Sequence, residues 1–470
     1  MMNIATPARK NDWFGPFARH IALPFSTRRN HPAFARYLNE FEASQYLSRT
    51  AIEELQVRRL RKLLLHAFDN CPFYTVRVKK TGWTRRDLES LSPDQLTAFP
   101  LLSKRDIQDF REELTARNIP SELRVRNQTG GSTGSPLQFW VDRKRFDSRR
   151  ASTVRHNRWV GMNPGDWLAV LWGARLDQEV RPGWRGWLRN QLITRCVELN
   201  TSTIRESDWQ KFINEIRAKR PRFLLAYAQS AVLFAEYLNH RKIADINFQS
   251  VITTAEVLLP EQRGLLEECF HCRVFNRYGC REVSVIASEC EQHTGMHVNA
   301  DALLVEIVPA PDIPAPAGKV VITDLFNLSM PLIRYEVGDV ATWAPEQQCP
   351  CGRGLPLLAD VQGRISDFLT LSDGRQISGP SLTLVVADLS EVRQVQFVQE
   401  APDSITLRVV PGTDYDGDTE SELRRRLSLY LGNAAILHIE KVDAIRSELS
   451  GKYRFVINAE KSAAGRTTVS

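Results

Sequence analysis

The chain has 470 residues, 43% hydrophobic and 25% charged, with a formal net charge of +7. That is enough for two or three domains around a large core, and it excludes a fibrous or disordered chain. Arginines are scattered rather than blocked, which argues against nucleic-acid binding and suits anionic small molecules or an anionic membrane surface. No apolar run approaches the roughly 18–20 residues of a membrane helix.

Residues 1–118 read as helix-rich. Leu55, Val57, Leu60, Leu63 to Leu65 and Phe68 recur at helical spacing, and Pro72 follows the helix end. Leu123 to Gln128 reads as extended, and Leu137 to Val141 as β-rich. From about 165 to 280 strands and helices alternate, which predicts βαβ units and a parallel sheet. The expected strands are 167–172, 223–227, 250–254 and 273–278. The expected helices are 208–219 (Ser207 or Asp208 as N-cap), 229–239 and 260–270. Beyond residue 300, strands 303–308 and 319–323 flank a Pro-rich turn, predicting antiparallel structure. After Gly363 the pattern becomes β-β-α-β, with a helix over 418–431. The fold class expected is α/β, with a large N-terminal domain and a small mobile α+β C-terminal domain. The boundaries expected are 1–118 (helical part of the large domain), 119–363 (its binding core), 364–458 (lid) and 459–470 (disordered tail). Met1 to Pro24 does not read as a signal peptide, and eight Cys in so long a chain make no disulfide framework. A cytoplasmic protein with reduced thiols is expected.

Thr129, Gly130, Gly131, Ser132, Thr133 and Gly134, followed by Ser135 and Pro136, cannot build a core. Between two apolar strands they can build a nest of inward N–H groups for phosphate, and Gly lets the backbone approach closely. No Lys-Ser/Thr follows the last Gly, so this is not a Walker loop. Cys290, His297, Cys349 and Cys351 offer soft thiolates and an imidazole suited to tetrahedral Zn²⁺, with His293 a competing imidazole. Cys269 and Cys272 read as core. Trp184 to Arg189 is a Trp/Arg cluster. Packing against a neighbouring domain is the favoured reading, and a membrane or acyl-chain contact the sharper one.

The Gly/Ser/Thr loop resembles the phosphate loop of the adenylate-forming (acyl/aryl-CoA synthetase) superfamily, nearest its phenylacetate–CoA ligase-like branch. The resemblance covers roughly residues 55 to 455. Tyr278-Gly279-Cys280-Arg281-Glu282 is similar to that family's Tyr-Gly-x-Thr-Glu, with Arg281 where a hydroxyl residue is usual. This implies Tyr278 and Gly279 at adenine, Asn276 beside them, and Glu282 as catalytic Mg²⁺ ligand. Thr253-Thr254-Ala255-Glu256 resembles the adenine-side strand end, adding Ala255 and Glu256. Asp339 of Arg334-Tyr335-Glu336-Val337-Gly338-Asp339 is the implied ribose anchor. Arg364 implies a ribose or phosphate contact, Ser366 and Asp367 a hinge. Lys452, after Ser450-Gly451, is the implied catalytic lysine, with Arg281 the next candidate cation. The resemblance also implies a structural Zn²⁺ on the Cys/His set. The Leu371 to Ser378 stretch is closer to relatives associated with capsular or exopolysaccharide biosynthesis.

The activity implied is ATP-dependent adenylation of a small carboxylic acid, with ATP and Mg²⁺ as cofactors, then transfer to CoA, a carrier thiol or another acceptor. Two rivals stand beside it. One is a non-catalytic relative in polysaccharide assembly. The other is an acyl-activating transferase peripheral to the inner face of the membrane.

Overall fold

The computed structural model describes residues 12–128, 137–172, 183–201, 206–311, 313–345, 348–364, 368–372, 376–378, 389, 391–401, 403–432, 435–445 and 456–458. Two short strands, β1 (Arg124–Gln128) and β2 (Gln138–Asp142), pair antiparallel with Gln128 opposite Gln138. The Gly/Ser/Thr segment therefore joins strand to strand, as expected; its own residues, 129–136, lie outside those described.

The main sheet has eleven strands: β3 (Leu168–Trp172), β4 (Cys196–Asn200), β5 (Phe223–Tyr227), β6 (Ser250–Thr254), β7 (Arg273–Cys280), β8 (Ser284–Glu289), β9 (Met296–Val298), β10 (Leu303–Val308), β11 (Gly318–Asp324), β12 (Tyr335–Trp343) and β13 (Leu357–Arg364). Their spatial order is 10-11-12-13-9-8-7-6-5-3-4. From β4 to β7 every pairing is parallel. From β7 to β10 every pairing is antiparallel. The alternating grammar before residue 280 and its change near 300 are thus two halves of one sheet.

Each half has its own core. Helices Glu206–Lys219, Ala228–His240 and Pro260–Phe270 pack on the parallel half. Helix Glu206–Lys219 starts early enough that Ser207 and Asp208 sit in its first turn rather than at its cap. The N-terminal helices share the core of the antiparallel half. The longest of these, Arg49–Asn70, is capped by Ser48, whose hydroxyl accepts from the Ala51 N–H at 3.3 Å. Its buried stripe of Ile52, Leu60, Leu63, Leu64 and Ala67 follows the helical period.

Two strands, β14 (Phe368–Thr370) and β15 (Gln376–Ser378), form a ribbon. A four-stranded sheet follows, ordered 18-17-16-19, from β16 (Val392–Ala401), β17 (Ser404–Pro411), β18 (Ile436–Lys441) and β19 (Val456–Asn458). Helix Gly417–Leu431 covers it through Leu423, Leu427 and Leu431, in a third, separate core.

Candidate functional site

The carboxyl ends of parallel strands are where ligands bind in open α/β sheets, above all where strand order reverses. Here the order reverses between β3 and β5. At their ends Trp172 and Tyr227 lie against one another, ring centroids 4.5 Å apart. Two strands further on, Thr254 ends β6 beside Arg277 of β7. Ala255 then turns into a left-handed conformation, φ 69°. Such strain in a non-glycine residue concentrates at functional sites.

Tyr278, Gly279 and Cys280 lie on β7 itself rather than after it, and Arg281 and Glu282, with Val283, form the turn into β8. A Cβ on Gly279 would sit 2.6 Å from the Ser284 carbonyl oxygen, so this tight return to β8 requires glycine. Glu282 is buried, and Tyr335 Oη donates to its Oε1 at 2.9 Å. Arg149, from helix Arg143–Trp159, supports the turn from beneath: it donates to the carbonyls of Arg281 (3.2 Å) and Glu282. Burial lowers the Arg149 guanidinium to about 10. On the other side Arg281 Nη1 donates to the Gln128 carbonyl at 2.7 Å. The arginine that stands in place of a hydroxyl residue thus ties the carboxylate turn to the root of the Gly/Ser/Thr loop.

Tyr278 Oη donates to Asp339 Oδ2 at 2.7 Å. Asp339 lies on β12, and its register partner on β13 is Arg364. Three motifs far apart in sequence therefore meet beside β7. Asn276 lies on the same strand, and its N–H donates to Glu289 at 2.6 Å. Ser366, Asp367 and Lys452 lie outside the described residues. Sequence reasoning missed Arg149, Trp172 and Tyr227, and gave no role to Tyr335 although it stands in the Arg334 to Asp339 motif. Position at the end of a strand was a signal for Trp172 and Tyr227; nothing local marks Arg149.

Cys290, His297, Cys349 and Cys351 form a second constellation, their ligand atoms all within 4.8 Å of one another. Cys290 follows β8, His297 lies on β9, and the other two lie between β12 and β13. Cys290 and Cys349 Sγ are 3.7 Å apart; His297 Nε2 is 3.2 Å from Cys351 Sγ. Bonds of about 2.3 Å to a tetrahedral ion put two sulfurs about 3.8 Å apart. His297 Nδ1 donates to the Leu355 carbonyl at 3.1 Å, which turns the Nε2 lone pair toward the thiols. Burial pushes the His297 imidazole down to about 4, so it is neutral, as a ligand must be. Burial pushes the Cys290 thiol up to about 12. Cys349 is buried too, yet hydrogen bonds from Thr294 Oγ1 and the Cys351 N–H hold it below the usual thiol value. The Gln292 and Arg353 N–H groups each donate to a cysteine sulfur at 3.4 Å. Donor set, spacing and tautomer all fit Zn²⁺. His293 is not in this set: its Nδ1 faces Glu289 at 3.3 Å and its ring packs on Phe275. Cys269 and Cys272 pack against the core of the parallel half, as expected.

The fold is that of the adenylate-forming CoA ligases. A crystal structure of 2-hydroxyisobutyryl-CoA ligase in the postadenylation state superposes with a TM-score of 0.71 at 20% identity, covering 90% of this chain and 93% of that one. Residues 369–459 match the family model described as CapK C-terminal domain. Protein CapK of Staphylococcus aureus is 22% identical over 413 residues, 86% of this chain and 89% of that protein. The phenylacetate-coenzyme A ligase of Pseudomonas putida is 23% identical over 420 residues, 84% and 92% of the two chains. That of Thermus thermophilus is 25% identical over 336 residues, 69% and 73%. The chain is a relative of Protein CapK and of the phenylacetate–CoA ligases.

Proposed function

We propose that the protein is an adenylate-forming ligase. It joins a carboxylic acid to the α-phosphate of ATP, releases pyrophosphate, and passes the acyl group from acyl-AMP to a thiol, with CoA the acceptor the ligase relatives favour. The observation that carries this reading is the Tyr278–Asp339 hydrogen bond beside the buried Glu282 turn. It unites an aromatic face for adenine, a carboxylate for the ribose hydroxyls and a hard oxygen ligand suited to Mg²⁺. Arg281 adds the phosphate loop to that group through Gln128. Residues Thr129 to Gly134 would cradle the polyphosphate, with Ala255, Glu256, Asn276 and Gly279 along the adenine edge and Arg364 near the ribose. Mg²⁺ would screen charge on the transferring phosphate.

Lys452 is the proposed cation that bridges the acid and the α-phosphate. Closure of the small domain, pivoting at Ser366–Asp367, would deliver it. The Cys290, His297, Cys349 and Cys351 set has the chemistry of a closed structural Zn²⁺ site with no open position. A role near polysaccharide assembly for the acceptor step rests on the resemblance of the Leu371 to Ser378 stretch alone.

The test is pyrophosphate exchange across a panel of carboxylic acids, followed by acyl transfer to CoA and to carrier thiols. Exchange that depends on one acid class supports the reading; no exchange with any acid in metal-replete protein refutes it. Lys452→Ala should slow acyl-AMP formation about 10²–10³-fold while sparing transfer from synthetic acyl-AMP. Equal loss in both half-reactions would make Lys452 structural.

A further inference from the structure

The segment before residue 31 inverts the usual amphipathic rule. Helix Gly15–Phe17, a π-helical turn Ala18–Ala22 and helix Leu23–Asn30 run on continuously. Their buried positions are mostly small: Gly15, Ala18 and Leu23. Their large apolar side chains face out, with Trp13 86%, Phe17 47%, Ile21 55% and Phe25 69% exposed. Surface helices of globular proteins normally turn such residues inward.

This is not a loose end. Arg19 pairs with Asp166 at 2.8 Å, and Gly165 comes so close that a Cβ there would meet Arg19 Cγ at 2.5 Å. Phe14 packs edge-on against Trp187 at 5.9 Å. That contact joins the segment to helix Gly183–Arg189, where Trp184 and Trp187 are 69% and 54% exposed. Trp187 thus packs on the N-terminal segment, while both rings of the cluster stay more than half exposed, and two separate stretches present aromatic rings to the outside.

Among the described residues, the exposed charged side chains of Trp13 to Asn39 and of helix Gly183–Arg189 are all arginines: Arg19, Arg28, Arg29, Arg36 and Arg185. Arg195 is buried against Asp12 and takes no part in the surface. Arg28 and Arg29 are exposed in the last turn of their helix. Exposed Trp and Phe interleaved with arginine is the composition of interfacial helices, whose rings enter the headgroup boundary while the cations meet anionic lipid. A second copy of the chain would set arginines against arginines across a twofold axis, so self-association is disfavoured.

We propose that this aromatic–basic surface docks the protein on an anionic lipid bilayer, lying on it without crossing it. The inference does not depend on the activity proposed above.

The test is flotation of the full chain with phosphatidylcholine vesicles, with and without about a third phosphatidylglycerol. Binding should appear with the anionic vesicles and fall steeply with added salt. Arg28→Gln with Arg29→Gln should weaken it about thirty-fold, roughly fivefold per arginine near such a surface. Trp13→Ala, Phe25→Ala and Trp187→Ala together should abolish flotation at an unchanged melting temperature. Should that triple variant not fold, quenching of wild-type Trp emission by brominated lipid decides the question. No flotation, no quenching, or equal binding to neutral vesicles would overturn the proposal. So would a change of oligomeric state in the variants with lipid binding intact.

Discussion

Cys351→Ser tests the metal site most directly. β13 pairs with β9 through only two residue pairs, Leu357 with His297 and Leu358 with Met296. A tetrahedral ion would tie the residue after β8 and β9 itself to the β12–β13 connection at that thin seam. The same connection docks on the N-terminal helices: Gly354 N–H donates to Gln45 at 2.9 Å, and a Cβ on Gly354 would meet the Leu47 carbonyl at 1.9 Å. The donors already stand 3.2 and 3.7 Å apart in two pairs, so binding requires little rearrangement. An ion supplied at about a thousand times its dissociation constant stabilises the fold by about 4 kcal/mol. At roughly 2–4 °C per kcal/mol for a domain of a couple of hundred residues, that is a fall of about 8–16 °C on losing it. Elemental analysis should find about one Zn per wild-type chain, as the four-ligand rule requires, and much less in Cys351→Ser. Cd²⁺ substitution should give thiolate charge-transfer absorption in the wild type alone. Metal-free wild-type protein with the same melting temperature as the variant, unmoved by chelator, would refute the argument.

Asp339→Asn should raise the dissociation constant for ATP more than Tyr278→Phe does; the phenylalanine keeps the adenine face and loses one hydrogen bond to a charged group, about 1.5–3 kcal/mol. Equal and negligible effects in equilibrium ATP titrations would remove both from the site. Arg155 and Asp301 are both buried and paired, so Arg155→Leu should cost about 3–5 kcal/mol in denaturant unfolding by stranding a buried carboxylate. Burial pushes the Cys71 and Cys196 thiols from 9.0 up to about 12. The stability they contribute is therefore complete below pH 9 and lost as pH rises toward 12, at about 1.4 kcal/mol per pH unit per thiol. Cys71→Ala with Cys196→Ala should flatten that alkaline decline in unfolding experiments, and an unchanged slope would contradict the assignment.

Much of this was legible locally. The helical stripe from Ile52 to Ala67, the strands at 223–227 and 250–254, and the strand–loop–strand around residues 129–136 follow from periodicity and composition, which depend on near neighbours. The types of side chain at Tyr278, Glu282, Asp339 and the Cys/His set were likewise readable, because each motif is a short run. Tertiary structure alone decided that Tyr278 and Asp339, 61 residues apart, share a hydrogen bond, and that Arg281 reaches back to Gln128. It also decided that parallel and antiparallel halves form one sheet, and that Tyr335 and Arg149 hold the Glu282 turn. The sequence places large apolar side chains at Trp13, Phe17, Ile21 and Phe25 but does not say which way they face. That depends on what the rest of the chain offers to cover them, and here Gly165 and Asp166 take the small-residue face and leave the aromatic rings outside.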